Sequence, residues 1–157
     1  MRQTTLPELV ARHPLLSGLP GDAVEHVAGC ARNMSFPAGR LLQREGDPAD
    51  TLYLLRRGRV RIEVHAPGRP PAVIETVGPG HIVGWSWLFP PFQWRFDARA
   101  VDGVGAIAID GACLRAKAQE QPAFGYALLQ RVAALLFDRL VASRVRLLDL
   151  YATDGRA

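Results

Sequence analysis

Residues 84–96, "GWSWLFPPFQWRF", carry all three tryptophans of the chain and three of its six phenylalanines. Large rings gathered this way can stack on a flat ligand, bury against a partner or fill a core. Reactive side chains are sparse elsewhere. His13, His26, His65 and His81 are scattered, with none of the His–x–His spacing of metal sites in cupin-type jelly rolls. Ser86 stands between tryptophans rather than in a strand–turn–helix elbow. The run "GPGHIVG" lacks the lysine and following helix pattern of a phosphate loop. Glu45 and Asp47 fall in a turn and read as turn chemistry. A β-roll enzyme of the cupin kind is therefore the outside alternative, and the chemistry to look for is binding.

The balance of charge is basic, +4 with a pI near 9.7, and comes from arginine, since Lys117 is the only lysine. The arginines are dispersed apart from "RRGRVR" at 56–61. Read along a strand, that run places Arg57, Arg59 and Arg61 on one solvated face, so a nucleic-acid partner is not expected. No stretch approaches the run of about 18 apolar residues that a membrane span needs. The first residues show no secretory signal, and a cytoplasmic protein is expected. Cys30 and Cys113 are accordingly read as two small buried thiols rather than a pair.

The elements that must hold the aromatic segment are legible from periodicity and punctuation. Short helices are expected at 6–12 and 20–30. Strands follow at 33–36, 41–44, 51–57, 59–65, 72–77, 81–83, 97–100 and 104–110, separated by runs rich in glycine, proline and aspartate. This is a sandwich, jelly roll or barrel pattern on one domain of 157 residues. After Asp110, which suits a helix N-cap, a short helix stops before Pro122, and 123–151 form one long helix. Leu129, Val132, Leu136, Leu140, Ser143, Leu147 and Leu150 make one apolar stripe. Leu128, Leu135, Val141, Val145 and Leu148 make a second. One stripe suffices to pack on a β-body, so the other is expected on a second copy, giving a homodimer.

The middle of the chain resembles a known family. "FPAGRLLQREGDPADTLYLLRRGRVRIEV" is similar to the opening of cyclic nucleotide-binding domains, as in bacterial cyclic-AMP receptor regulators and kinase regulatory subunits. Phe36, Gly39, Gly46, Asp47, Leu52, Tyr53, Gly58 and Val60 carry the match. Downstream, "VGPGHIVGWSWL" resembles the approach to the family's phosphate-binding cassette, with Gly80 and Gly84 in place. The resemblance covers roughly residues 15–150. It implies a mainly β fold: an antiparallel β-roll, or jelly roll, at about 32–110, with N-terminal helices and a long C-terminal helix at about 122–151.

In that family the cassette begins Gly–Glu, and an arginine follows eleven residues after the glycine. The glutamate accepts the ribose 2′-hydroxyl, and the arginine pairs with the cyclic phosphate beside the amides of a short helix. Here Gly84 is followed by Trp85 in place of glutamate, and Arg95 falls eleven residues on, flanked by Trp94 and Phe96. The resemblance implies a ligand between roll and long helix, bound by Gly84, Trp85, Ser86, Trp87, Arg95 and Phe96. The ligand would be a cyclic nucleotide or another small anionic or aromatic molecule. The competing reading is a dimerisation module whose pocket the aromatics fill, with Arg95 in an ion pair with Asp97. The six residues after Tyr151 leave no room for a helix-turn-helix, so a stand-alone sensor acting on an unidentified protein partner is expected.

Overall fold

The computed structural model describes residues 3–155. Two helices open the chain, α1 (Leu6–Arg12) and α2 (Gly21–Ala28). Eight strands follow: β1 (Ala31–Phe36), β2 (Leu41–Gln43), β3 (Thr51–Arg57), β4 (Val60–Val64), β5 (Ala72–Val77), β6 (Ile82–Val83), β7 (Asp97–Ala100) and β8 (Val104–Asp110). Helices α3 (Gly111–Glu120) and α4 (Pro122–Asp154) close it. The strands form two antiparallel four-stranded sheets, ordered β1-β8-β3-β6 and β2-β7-β4-β5. The expected β-roll with its flanking helices and long C-terminal helix is present.

Side-chain alternation explains why β3 and β8 read as near-continuous apolar runs. Tyr53, Leu55, Val104, Ala106 and Ala108 pack between the sheets, against Val60, Ile62 and Ala98. Leu52, Leu54, Ile107 and Ile109 face the other way, into a core shared with α1, α2, α3 and the start of α4. The two central strands of the first sheet, β3 and β8, are thus buried on both faces, whereas its edge strand β1 is largely exposed and the second sheet has one face toward solvent. The arginine run does not lie on one strand. Gly58, at φ +77°, turns β3 into β4, and a Cβ there would stand 2.4 Å from the Gly103 carbonyl. The corner sends Arg59 to Asp102 (3.2 Å) and Arg61 to Glu63 (3.5 Å).

Two further expectations change. Cys30 and Cys113 are joined as a disulfide, with Cα atoms 5.7 Å apart across a sequence separation of 83. Cys30 immediately precedes β1, and Cys113 lies in the first turn after β8. The β1–β8 ladder, Ala31 opposite Ile109, brings those ends together. Helix α4 is also divided mainly by length, with Leu129 an early exposed exception. Phe124, Leu128 and Val132 are buried, whereas Leu140, Val141, Val145, Leu147, Leu148 and Leu150 are exposed, whichever stripe they belong to. A helix of 33 residues is about 50 Å long and overruns the roll it packs on. No helix among the described residues is long and apolar enough to cross a membrane.

Candidate functional site

Strand β6 pairs with β3 for two residues, Tyr53 opposite Val83, and then Gly84 leaves it at φ +95°. A Cβ at Gly84 would stand 2.8 Å from both the Thr51 carbonyl and the Trp94 ring, so glycine serves conformation and close approach together. A single 3₁₀ turn follows at Ser86–Leu88. The chain then rounds 89–92 and returns along the 46–49 turn: Phe92 accepts from the Ala49 amide (2.7 Å), Trp94 donates to Asp47 (3.0 Å), and Gly46 donates to Trp94 (2.9 Å). The "EGDPAD" run, read as a separator, is the brace for this segment.

The three tryptophans part company here. Trp94 is 5 % exposed and fills the space under Gly84. Trp87 is 1 % exposed and belongs to the helix-side core. Trp85 is half-buried: it packs against the edge of that core and, unlike Trp87, also lines the groove. With about three residues per turn, positions two apart on a 3₁₀ helix cannot share a face. Trp87 therefore lies outside the groove that takes the other five expected residues.

That groove, about 430 Å³, runs between the roll and α4. It opens where the terminal strands of the two sheets, β6 and β5, stand without further partners, and α4 lies across the opening. Gly84, Trp85 and Ser86 form one wall, and Arg95 and Phe96 the end. Trp85 lies along the groove and does not fill it. Arg95 is exposed, and no carboxylate among the described residues lies within ion-pair reach. Its expected pairing with Asp97 is not made. Residues 95 and 96 form a bend, so strand alternation does not carry from Arg95 to Asp97. The Asp97 carboxylate is buried on the far face, taking the Glu45 amide (2.7 Å) and His65 Nε2 (2.7 Å). Arg99 is likewise structural, donating to Glu63 (3.3 Å) and the Gly39 carbonyl (2.8 Å).

Three of the groove's other residues, Arg139, Glu75 and Gln43, carry polar chemistry that sequence reasoning did not reach. Arg139 reaches from α4, donating to the Glu75 carboxylate and the Ile82 carbonyl (3.2 Å). Its guanidinium carbon sits 5.1 Å from the centroid of the Trp85 ring, a cation–π contact. Helix, both sheet edges and Trp85 thus meet at one side chain. Gln43 donates to the Phe96 carbonyl (3.1 Å), while its Oε1 is buried with no partner among the described residues. One signal could have found Arg139: it lies three residues after Leu136 and four before Ser143, on the side of α4 that meets the roll. Nothing in one dimension marks Glu75 or Gln43, whose place depends on how the sheets stack.

The histidines stay dispersed. Burial pushes the His13 pKa down to about 4, and its Nδ1 accepts the Leu15 amide (3.2 Å). Among the described residues one set, Glu63, His65 and Asp97, brings three ligand-type atoms within 4.8 Å of one another. Arg61 and Arg99 already flank Glu63, and His65 already caps Asp97, so these charges are spent within the protein.

The family model described as the cyclic nucleotide-binding domain matches residues 33–121. The chain is 28 % identical over 149 residues to the CRP-like cAMP-activated global transcriptional regulator of Mycobacterium tuberculosis, covering 95 % of this chain and 65 % of that protein. It thus spans just under two thirds of the length of this curated relative. A crystal structure from Geobacter metallireducens, of a protein assigned to cyclic nucleotide binding, superposes with a TM-score of 0.77 at 30 % identity, covering 85 % of this chain and 97 % of that one. The N-terminal domain of a transcriptional regulator from Streptomyces coelicolor superposes with a TM-score of 0.68 at 26 % identity, covering 85 % and 94 %.

Proposed function

The chain belongs to the cyclic nucleotide-binding domain family, and from that premise we propose that it is a ligand-sensing unit of a regulatory protein, binding a small anion in the groove between roll and α4. One observation carries the reading. Arg95, eleven residues after Gly84, presents an unpaired guanidinium to an open groove, whereas Arg59, Arg61, Arg99 and Arg139 are all engaged by carboxylates. An unpaired guanidinium beside apolar walls suits a phosphate or carboxylate.

The ligand class is narrowed by what stands beside it. Trp85 occupies the position at which the family pattern has glutamate, and the groove's own carboxylate, Glu75, is held by Arg139. A ribose hydroxyl finds no free carboxylate there, which costs a cyclic nucleotide about 1–3 kcal/mol, or roughly ten- to a hundredfold in affinity. A flat anion that lies on Trp85 does not meet that cost. Aromatic carboxylates are therefore the competing ligands to test against cyclic AMP and cyclic GMP.

Helix α4 is the reporting element. It touches the groove through Arg139 and ends in a long apolar surface suited to a second copy of the chain. A ligand that displaces Arg139 from Trp85 or Glu75 biases how α4 lies on the roll. Titration of each probe, followed by tryptophan fluorescence and calorimetry, tests the site. Saturable binding is expected for at least one, weakened tenfold or more by Arg95→Ala with no change in unfolding midpoint. Silence from every probe by both methods defeats the proposal in favour of a non-binding interaction module. Sedimentation is expected to show a dimer, and a lone 17.2 kDa species at micromolar concentration overturns that part.

A further inference from the structure

The turn that walls the groove on one side walls a second hollow on the other, and we infer that this hollow is a separate site for a small monocarboxylate with an apolar body. Trp85 and Ser86 face the groove, whereas Trp87 and Leu88 face a space of about 320 Å³ closed by α3 and the first half of α4. Leu128 and Val132 complete its apolar wall. Its size is at the low end for small-molecule sites and holds about ten water molecules' volume, room for a body of roughly ten heavy atoms.

One polar group fixes the chemistry. Arg115, on α3, lines the same space. It donates one N–H to the Trp87 carbonyl and lies 4.1 Å from the Phe92 ring centroid, and no carboxylate among the described residues pairs with it. Its remaining N–H groups and its charge are available to an anion. Phe92 itself is held at φ +54°, in the left-handed region that a bulky residue avoids, and backbone strain of this kind clusters at ligand clamps. One cation and apolar walls call for one carboxylate on one hydrocarbon or aromatic body.

Calorimetry with decanoate, below its micellar concentration, and with decanol on the full chain tests the assignment. The expected result is one saturable decanoate site, with decanol at least tenfold weaker. Arg115→Gln weakens decanoate at least tenfold, and Arg95→Ala leaves it unchanged. Leu129→Trp, which plugs the rim from an exposed position, gives the same loss if Arg115→Gln does not fold. The inference is overturned by absence of saturable binding, by indifference to both variants, or by loss with Arg95→Ala, which places decanoate in the groove. It also fails if decanoate stoichiometry falls as the protein self-associates, because a second copy then covers the hollow.

Discussion

The two faces of the 84–96 segment share a composition and differ in nearly everything else. On the groove face, Trp85, Ser86, Arg95 and Phe96 are partly or largely exposed, and charges from β5 and α4 surround them. On the body face, Trp87 and Trp94 are buried, and the chain is pinned by backbone hydrogen bonds and by Arg115. The same residue type is mortar on one side and a ligand wall on the other. The difference teaches that the body face holds the groove face in shape: Trp94 sits under Gly84, the residue from which the turn starts.

The sharpest way to break this relation is to remove the mortar. Trp94→Ala is expected to cost about 3–5 kcal/mol in denaturant unfolding, the usual range for emptying a buried aromatic site. It should also abolish binding on both faces. A variant that is destabilised yet retains full groove affinity would show the two faces to be independent.

The disulfide offers a smaller and one-sided perturbation. Cys113 lies two residues before Arg115, so opening the bond loosens the helix that pins the body face. Reduction, or Cys30→Ser with Cys113→Ser, frees a loop of 83 residues in the unfolded chain and is expected to cost about 2–4 kcal/mol. Groove affinity measured by fluorescence should remain within twofold while decanoate affinity falls. Equal loss at both sites would contradict the one-sided placement.

The smallest effect is expected on the groove face. Glu75→Gln removes the partner of Arg139, a partly buried pair, and should cost about 1 kcal/mol or less in stability. Freed from Glu75, Arg139 becomes a second cation for the ligand, so the affinity for aromatic carboxylates should rise. A fall instead, measured by the same titration, would mean that Glu75 rather than Arg139 faces the ligand.

Legibility in the sequence followed the range of the interaction. The strands were readable because turn residues punctuate them, and β3, β5, β7 and β8 run where alternation and glycine spacing place them. Gly84 and Arg95 were readable through the resemblance and meet in one groove. Asp97 was misassigned because a bend at 95–96 cancels the alternation that would join it to Arg95. The cysteines were misread because their pairing is made by a sheet ladder joining residues some 80 apart, which leaves no local trace. The stripes of α4 were seen, but their burial depends on where the roll ends beneath the helix.

By itself, the sequence determined the β-roll with its long C-terminal helix, and an arginine-bearing aromatic segment in place of a Gly–Glu cassette. Those are matters of backbone freedom, side-chain period and short-range spacing. Tertiary structure alone decided which tryptophan faces the groove, that Arg139 and Glu75 complete it, and that Arg115 and Trp87 meet behind it. Each of these depends on residues distant in sequence packing at one place, and only the close-packed interior sets which side of a turn becomes wall and which becomes core.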